Sequence, residues 1–173
     1  RHRITAEQLD DDDALVSLRD AIELLEASAA SARCDDLGLR MTQTQDINIL
    51  GPLALAMQNS STVADALQCA SRHLYVHSPG MLFTVLPSST LIAGATELRF
   101  QMVLQHPPVM RQATDQAIGT LHQILRFLAG KHYALKAVAL PHRPLDARTT
   151  YRAFFAAPVL VDQAHAGLHI SAQ

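Results

Sequence analysis

The chain of 173 residues has no tryptophan, only two cysteines and few aromatic residues, 5% of the total. Each scarcity excludes something. Cys34 and Cys69 are far apart and lie in no C-x-x-C pair, which rules out a disulfide framework and makes a reducing, cytoplasmic setting the expectation. The seven glycines are scattered, so there is no glycine-rich phosphate loop, and no G-x-S-x-G nucleophile elbow is present. No run of about 18 apolar residues exists to cross a membrane, and the N-terminus carries no signal-peptide pattern, so no membrane partner is expected. Excess positive charge is also missing. Fourteen Lys and Arg face sixteen Asp and Glu, for a net charge of -2. The arginines are dispersed, so these residues offer no basic cluster to DNA or to an anionic surface.

What is present is apolar material in periodic order. Hydrophobic residues make up 49% of the chain, enough for the core of one domain. Leu15, Leu18, Ile22, Leu25 and Ala29 recur at helical spacing behind an acidic run at 10–13, which predicts a helix capped by Asp13. A second helix is predicted over STVADALQCASRHLYVH. Thr62 and Asp65 form its capping pair, Val63, Ala66, Leu67, Ala70 and Leu74 its buried stripe, and Pro79 its stop. The period then changes to two. Leu98, Phe100 and Met102 alternate with Arg99 and Gln101, which predicts antiparallel strands near 81–87 and 90–104, the second bent at Gly94. The longest helix spans about 109–129, with Met110, Ala113, Ala117, Leu121, Ile124 and Leu128 inward, and Arg111, Asp115, His122 and Arg126 outward. A strand (ALKAVALP), a short helix capped by Asp146 (ARTTYRAFF) and two strands (PVLVDQ, GLHIS) close the pattern. Short turns between strands favour an α+β domain, a mainly antiparallel sheet with helices packed on it.

The chemistry that stands out is histidine. His73 and His77 lie one helical turn apart, a metal-ligand spacing, with His77 near the centre of the predicted buried stripe. A small α+β enzyme using His77 as base or metal ligand is therefore one reading. Against it, Leu74, Tyr75 and Val76 fill the positions between the histidines. No nearby carboxylate supplies a third ligand, so no metal or other cofactor is expected. Cys69 borders the same stripe as a small buried hydrophobe.

Five blocks in order, DLGLR, ILGPLALAM, TVADAL, RHLYVHSPGM and HRPLDARTTYRAFFAAPVLV, resemble the N-terminal effector-binding domain of AraC/XylS-type bacterial transcriptional regulators, over about residues 14–170. The similarity is to the subgroup that includes ornithine-utilisation and mycobacterial virulence regulators. Ala156, Leu160 and Val161 depart from the closing block, which in the family usually reads Gly and then Arg-Phe. The resemblance implies a non-catalytic regulatory domain over 1–173, cut from a longer protein whose C-terminal helix-turn-helix domain reads DNA. It also implies a small-molecule effector and a homodimer. An effector pocket is expected between the sheet and the helix ending at His77, from Leu74, His77, Phe100 and Met102. A self-association surface is expected on the outward face of the 109–129 helix, at Gln112, Gln116, Gln123 and Phe127.

Overall fold

The computed structural model describes residues 4–11, 14–145 and 148–171. A short α1 (Ala6–Leu9) precedes α2 (Leu18–Ala32), α3 (Leu37–Met41), a 3-10 turn at Ile47–Leu50, α4 (Pro52–Gln58) and α5 (Val63–His77). The hairpin β1 (Met81–Leu86) and β2 (Ala95–Met102) leads to α6 (Arg111–Ala129). Then come β3 (Leu135–Ala139), α7 (Arg148–Phe155), β4 (Val159–Leu160) and β5 (Ala166–Ser171). The sheet has the order β1-β2-β5-β3-β4, and all its pairings are antiparallel except β3 with β4. The α7 crossover allows that parallel pair, because a tight turn cannot join parallel strands. The fold is α+β, as the periodicities require.

Local chemistry sets the boundaries. Thr62 caps α5 by accepting from the Asp65 amide at 3.0 Å, and the chain leaves helical geometry at Ser78, just before Pro79. Gly130, at φ 53, ends α6 in the left-handed region that glycine tolerates. The start of α2 differs from the expectation. Its N-cap is Ser17, whose side chain accepts from the Asp20 amide, and residues 14–17 are not helical. Leu15 is 94% exposed and drops out of the stripe, while Ile22 and Ala29 are buried. Asp13 and Asp146, the expected caps, lie outside the described residues. The second strand begins only at Ala95, because residues 87–94 form a loop that ends at Gly94, φ 65.

The largest correction concerns α6. It is not a surface helix with one polar side. Asp115 and His122, expected outward, are 1% and 4% exposed. The reason is that α6 lies in the middle of the molecule: α2 and α3 pack on one side, and the sheet, α7 and the chain around His142 on the other. Most of its buried polar residues are therefore bonded internally. Tyr151 Oη donates to Asp115 at 2.5 Å, and His142 Nε2 lies 3.1 Å from the same carboxyl group. His122 Nδ1 meets Tyr133 Oη at 2.8 Å. Gln112 accepts from the Gly38 amide at 2.8 Å and donates to the Asp35 carbonyl at 2.7 Å. That last pair needs α3 to approach the α6 backbone closely, and glycine permits it: a Cβ on Gly38 would sit 2.1 Å from the Gln112 carbonyl oxygen.

Candidate functional site

The inner sheet face, the α5 stripe and the apolar face of α6 do not close completely on one another. A cavity of about 220 Å³ remains. Leu67, Ala70 and Leu74 of α5 form one wall, and Met81, Phe83, Phe100 and Met102 of the hairpin form the floor. Ala113, Ala117, Leu121 and Ile124 of α6 make the opposite wall. Leu18, Ala21, Ile22 and Leu25 of α2 make the roof, held down by polar tethers at both ends. Arg19 donates to the Gln105 and His106 carbonyls, and Glu26 accepts from the Gln112 amide at 2.6 Å.

The four residues expected at a pocket, Leu74, His77, Phe100 and Met102, all line this cavity. The periodicity does not distinguish the α2 and α6 walls from core, since an apolar stripe looks the same whether its far side meets a side chain or a void. The polar positions Gln116 and Thr120 escape sequence reasoning for another reason. They lie on the flank of the stripe, at helical spacing from Ala113, Ala117 and Ile124, and their polarity reads as solvent-facing. Gln116, expected on an outward face, is half-buried. Its Nε2 donates to Gln45 Oε1 at 3.3 Å, and Thr120 Oγ1 donates to the same oxygen at 3.4 Å.

Three polar side chains thus face an otherwise apolar lining: His77, Gln116 and Thr120. His77 is exposed on its solvent side and not central to the buried stripe, because α5 ends there at Ser78. Partial burial still lowers its pKa below the usual histidine value, so it is neutral near pH 7. His73 is exposed and stacks obliquely on Tyr75, with ring centroids 6.4 Å apart. Among the described residues no group of three or more His, Cys, Asp and Glu is placed to hold a metal ion. Cys69 is half-buried and packs against the core.

The nearest approach to a nucleophile-base pair lies across the sheet. Ser89 Oγ is 2.8 Å from His169 Nδ1. That hydroxyl already accepts from the Leu91 and Ile92 amides at 3.0 Å, so its proton goes to Nδ1 and the bond fastens the 87–94 loop to β5. The imidazole is fully buried, which lowers its pKa, and it offers no room for a substrate.

Of the four self-association candidates, Gln112 is buried in the α3–α6 contact and Gln116 faces the cavity, so neither belongs to an outer surface. Gln123 is half-buried and Phe127 is 65% exposed. Among the described residues no helix is long and apolar enough to cross a membrane.

Against known proteins, residues 1–173 match the family model described as the arabinose-binding domain of AraC transcription regulator, N-terminal. The HTH-type transcriptional regulator VirS of Mycobacterium tuberculosis, in strains CDC 1551 / Oshkosh and ATCC 25618 / H37Rv, is 32% identical over 141 residues, 82% of this chain and 41% of VirS. The match therefore covers about two fifths of the length of these relatives, and the chain itself is about half as long as they are. The crystal structure of transcriptional regulator CdpR from Pseudomonas aeruginosa matches with a TM-score of 0.69 at 19% identity, covering 95% of this chain and 52% of that one, a likeness of fold.

Proposed function

The chain belongs to the family of N-terminal arabinose-binding domains of AraC transcription regulators, and from that premise we propose that it is the sensory domain of such a regulator, binding an apolar small-molecule effector in the cavity beneath α2. The observation that carries this reading is the cavity itself: about 220 Å³, apolar on nearly every wall, with His77, Gln116 and Thr120 as its few polar groups. Ligand pockets combine apolar area with a small number of placed polar groups in this way. The lining does not suit a free sugar. A monosaccharide needs a partner for each of several hydroxyl groups, and burying them unpaired costs more than the apolar contacts return.

Binding would act through the roof. An effector that contacts Ile22 and Leu25 stabilises the position of α2, and with it the tethers from Arg19 and Glu26. In the full-length regulator, that state would bias a DNA-binding domain outside these residues. Pairing of two copies belongs to the same reading. It would use the exposed end of α6 at Phe127, and not the buried Gln112 or Gln116.

The cavity is tested by filling it. Ala117→Phe places a ring in the void from the α6 wall. The variant is expected to keep or raise its melting temperature while losing the thermal shift that apolar small molecules give the unaltered chain. Retained shifts would place the ligand elsewhere. Pairing is tested by sedimentation at micromolar concentration. The unaltered chain should be dimeric and Phe127→Glu monomeric, with equal thermal stability because the ring is exposed.

A further inference from the structure

We infer that the cavity continues past Gln45 into a second subsite, one that takes an uncharged, hydrogen-bonding head group, so that the ligand of this domain is an amphiphile with an amide or hydroxyl head and not a carboxylate or phosphate. The inference rests on the cavity being the effector site.

Next to the cavity lies a surface groove of about 320 Å³, formed by the chain between α3 and α4 and by the outer edge of α6. Thr120 and Ile124 line both spaces. Gln45 stands at the boundary. It lines the groove, while its Oε1 accepts from Gln116 and Thr120, two groups that line the cavity. Those bonds, at 3.3 and 3.4 Å, are longer than the usual range for strong ones. The Gln45 carboxamide is therefore loosely held, and a ligand amide or hydroxyl can hydrogen-bond to it at little cost.

The two spaces differ in chemistry. The cavity is apolar. The groove presents the carboxamides of Gln43, Gln45, Asn48, Gln58 and Gln123, with Asp46 as its one charged side chain. Asp46 Oδ1 also accepts from the Asn48 amide at 2.8 Å, which fixes the carboxyl group in place. No Lys, Arg or His is among the residues lining the groove. An anionic head would lose water there and meet a carboxylate without a counter-charge. An amide or hydroxyl head finds donors and acceptors together on each carboxamide. At the far end of the cavity, His77 is neutral near pH 7 and supplies no counter-charge either.

Isothermal titration of the purified chain with decanamide and with decanoate, near neutral pH, separates head from tail because the two share the same alkyl chain. Decanamide is expected to bind at least roughly tenfold more tightly. Gln45→Leu should abolish that preference and keep the binding common to both. Gln123→Lys, which puts a cation in the groove, should raise the affinity for decanoate to at least that for decanamide. Melting curves establish that each variant folds, and if Gln45→Leu does not, Gln123→Lys carries the test. Decanoate binding the unaltered chain as tightly as decanamide would overturn the head subsite and leave the cavity standing. Decanoate affinity unchanged by Gln123→Lys would place the head elsewhere. Binding of neither compound would overturn the subsite and the cavity reading together.

Discussion

His122 shows how burial turns an ordinary residue into a determinant of stability. Its Nδ1 meets Tyr133 Oη, and its ring packs on Phe154 and Phe155 with centroids 5.8 and 5.3 Å away. Burial first, and the charge of Arg126 second, lower its pKa from 6.5 to about 4. Between those values the unfolded chain binds a proton that the folded chain refuses. Stability contributed by neutral His122 is therefore complete above pH 6.5 and is lost as pH falls toward 4. The full effect is on the order of 3 kcal/mol. Urea midpoints at about pH 7 and about pH 5 should differ less in His122→Leu than in the unaltered chain. His77 and His169 are shifted in the same direction, so some slope should remain. Equal slopes in both proteins would refute the assignment. The Tyr151–Asp115 bond is the second determinant at this scale. Tyr151→Phe leaves a buried carboxyl oxygen one donor short and is expected to cost about 1–3 kcal/mol, read from denaturant unfolding.

Among the elements, α6 decides most. Its spacing predicts an outward polar face, yet it touches the cavity on one side and the C-terminal elements on the other. Its contact with α3 depends on the absence of a side chain at Gly38. Gly38→Ala puts a methyl group against the Gln112 carbonyl and strains both Gln112 hydrogen bonds. A loss of about 1–3 kcal/mol is expected, visible as a lowered melting temperature. The same substitution at Gly130, where nothing lies within 4 Å of an added methyl carbon, would act only through its φ of 53. The difference between the two sites would separate crowding from backbone strain. The roof helix α2 is the opposite case: its inner face meets a void and its tethers are few, which suits an element that responds to a ligand.

At the scale of the whole molecule, charge sets the division of labour. With 14 basic against 16 acidic residues, and with Arg40, Arg72, Arg99 and Arg126 in different elements, the described residues form no basic cluster that could release many counterions from duplex DNA. In a mobility-shift titration at roughly 150 mM salt the chain should not retain promoter DNA, whereas the full-length regulator should. Specific retention by these residues alone would contradict the sensory reading.

By itself the sequence determined the α+β class, the positions of α5, α6 and the β1–β2 hairpin, and most of the apolar stripes that those elements turn inward. All of these follow from periodicity and capping, which act within a few residues of chain. The resemblance of five ordered blocks pointed to the family. Tertiary structure alone decided the rest. Asp115, Gln112 and His122 read as a solvated face until α3 and α7 cover them, because a polar residue bonded internally has the same spacing as one bonded to water. Gln116 and Thr120 flank the α6 stripe and read as solvent-facing until the cavity and Gln45 take up that flank, and His77 lines the cavity from the last turn of α5. Whether an apolar stripe encloses core or cavity depends on how closely the opposing elements approach, and no local pattern encodes that distance.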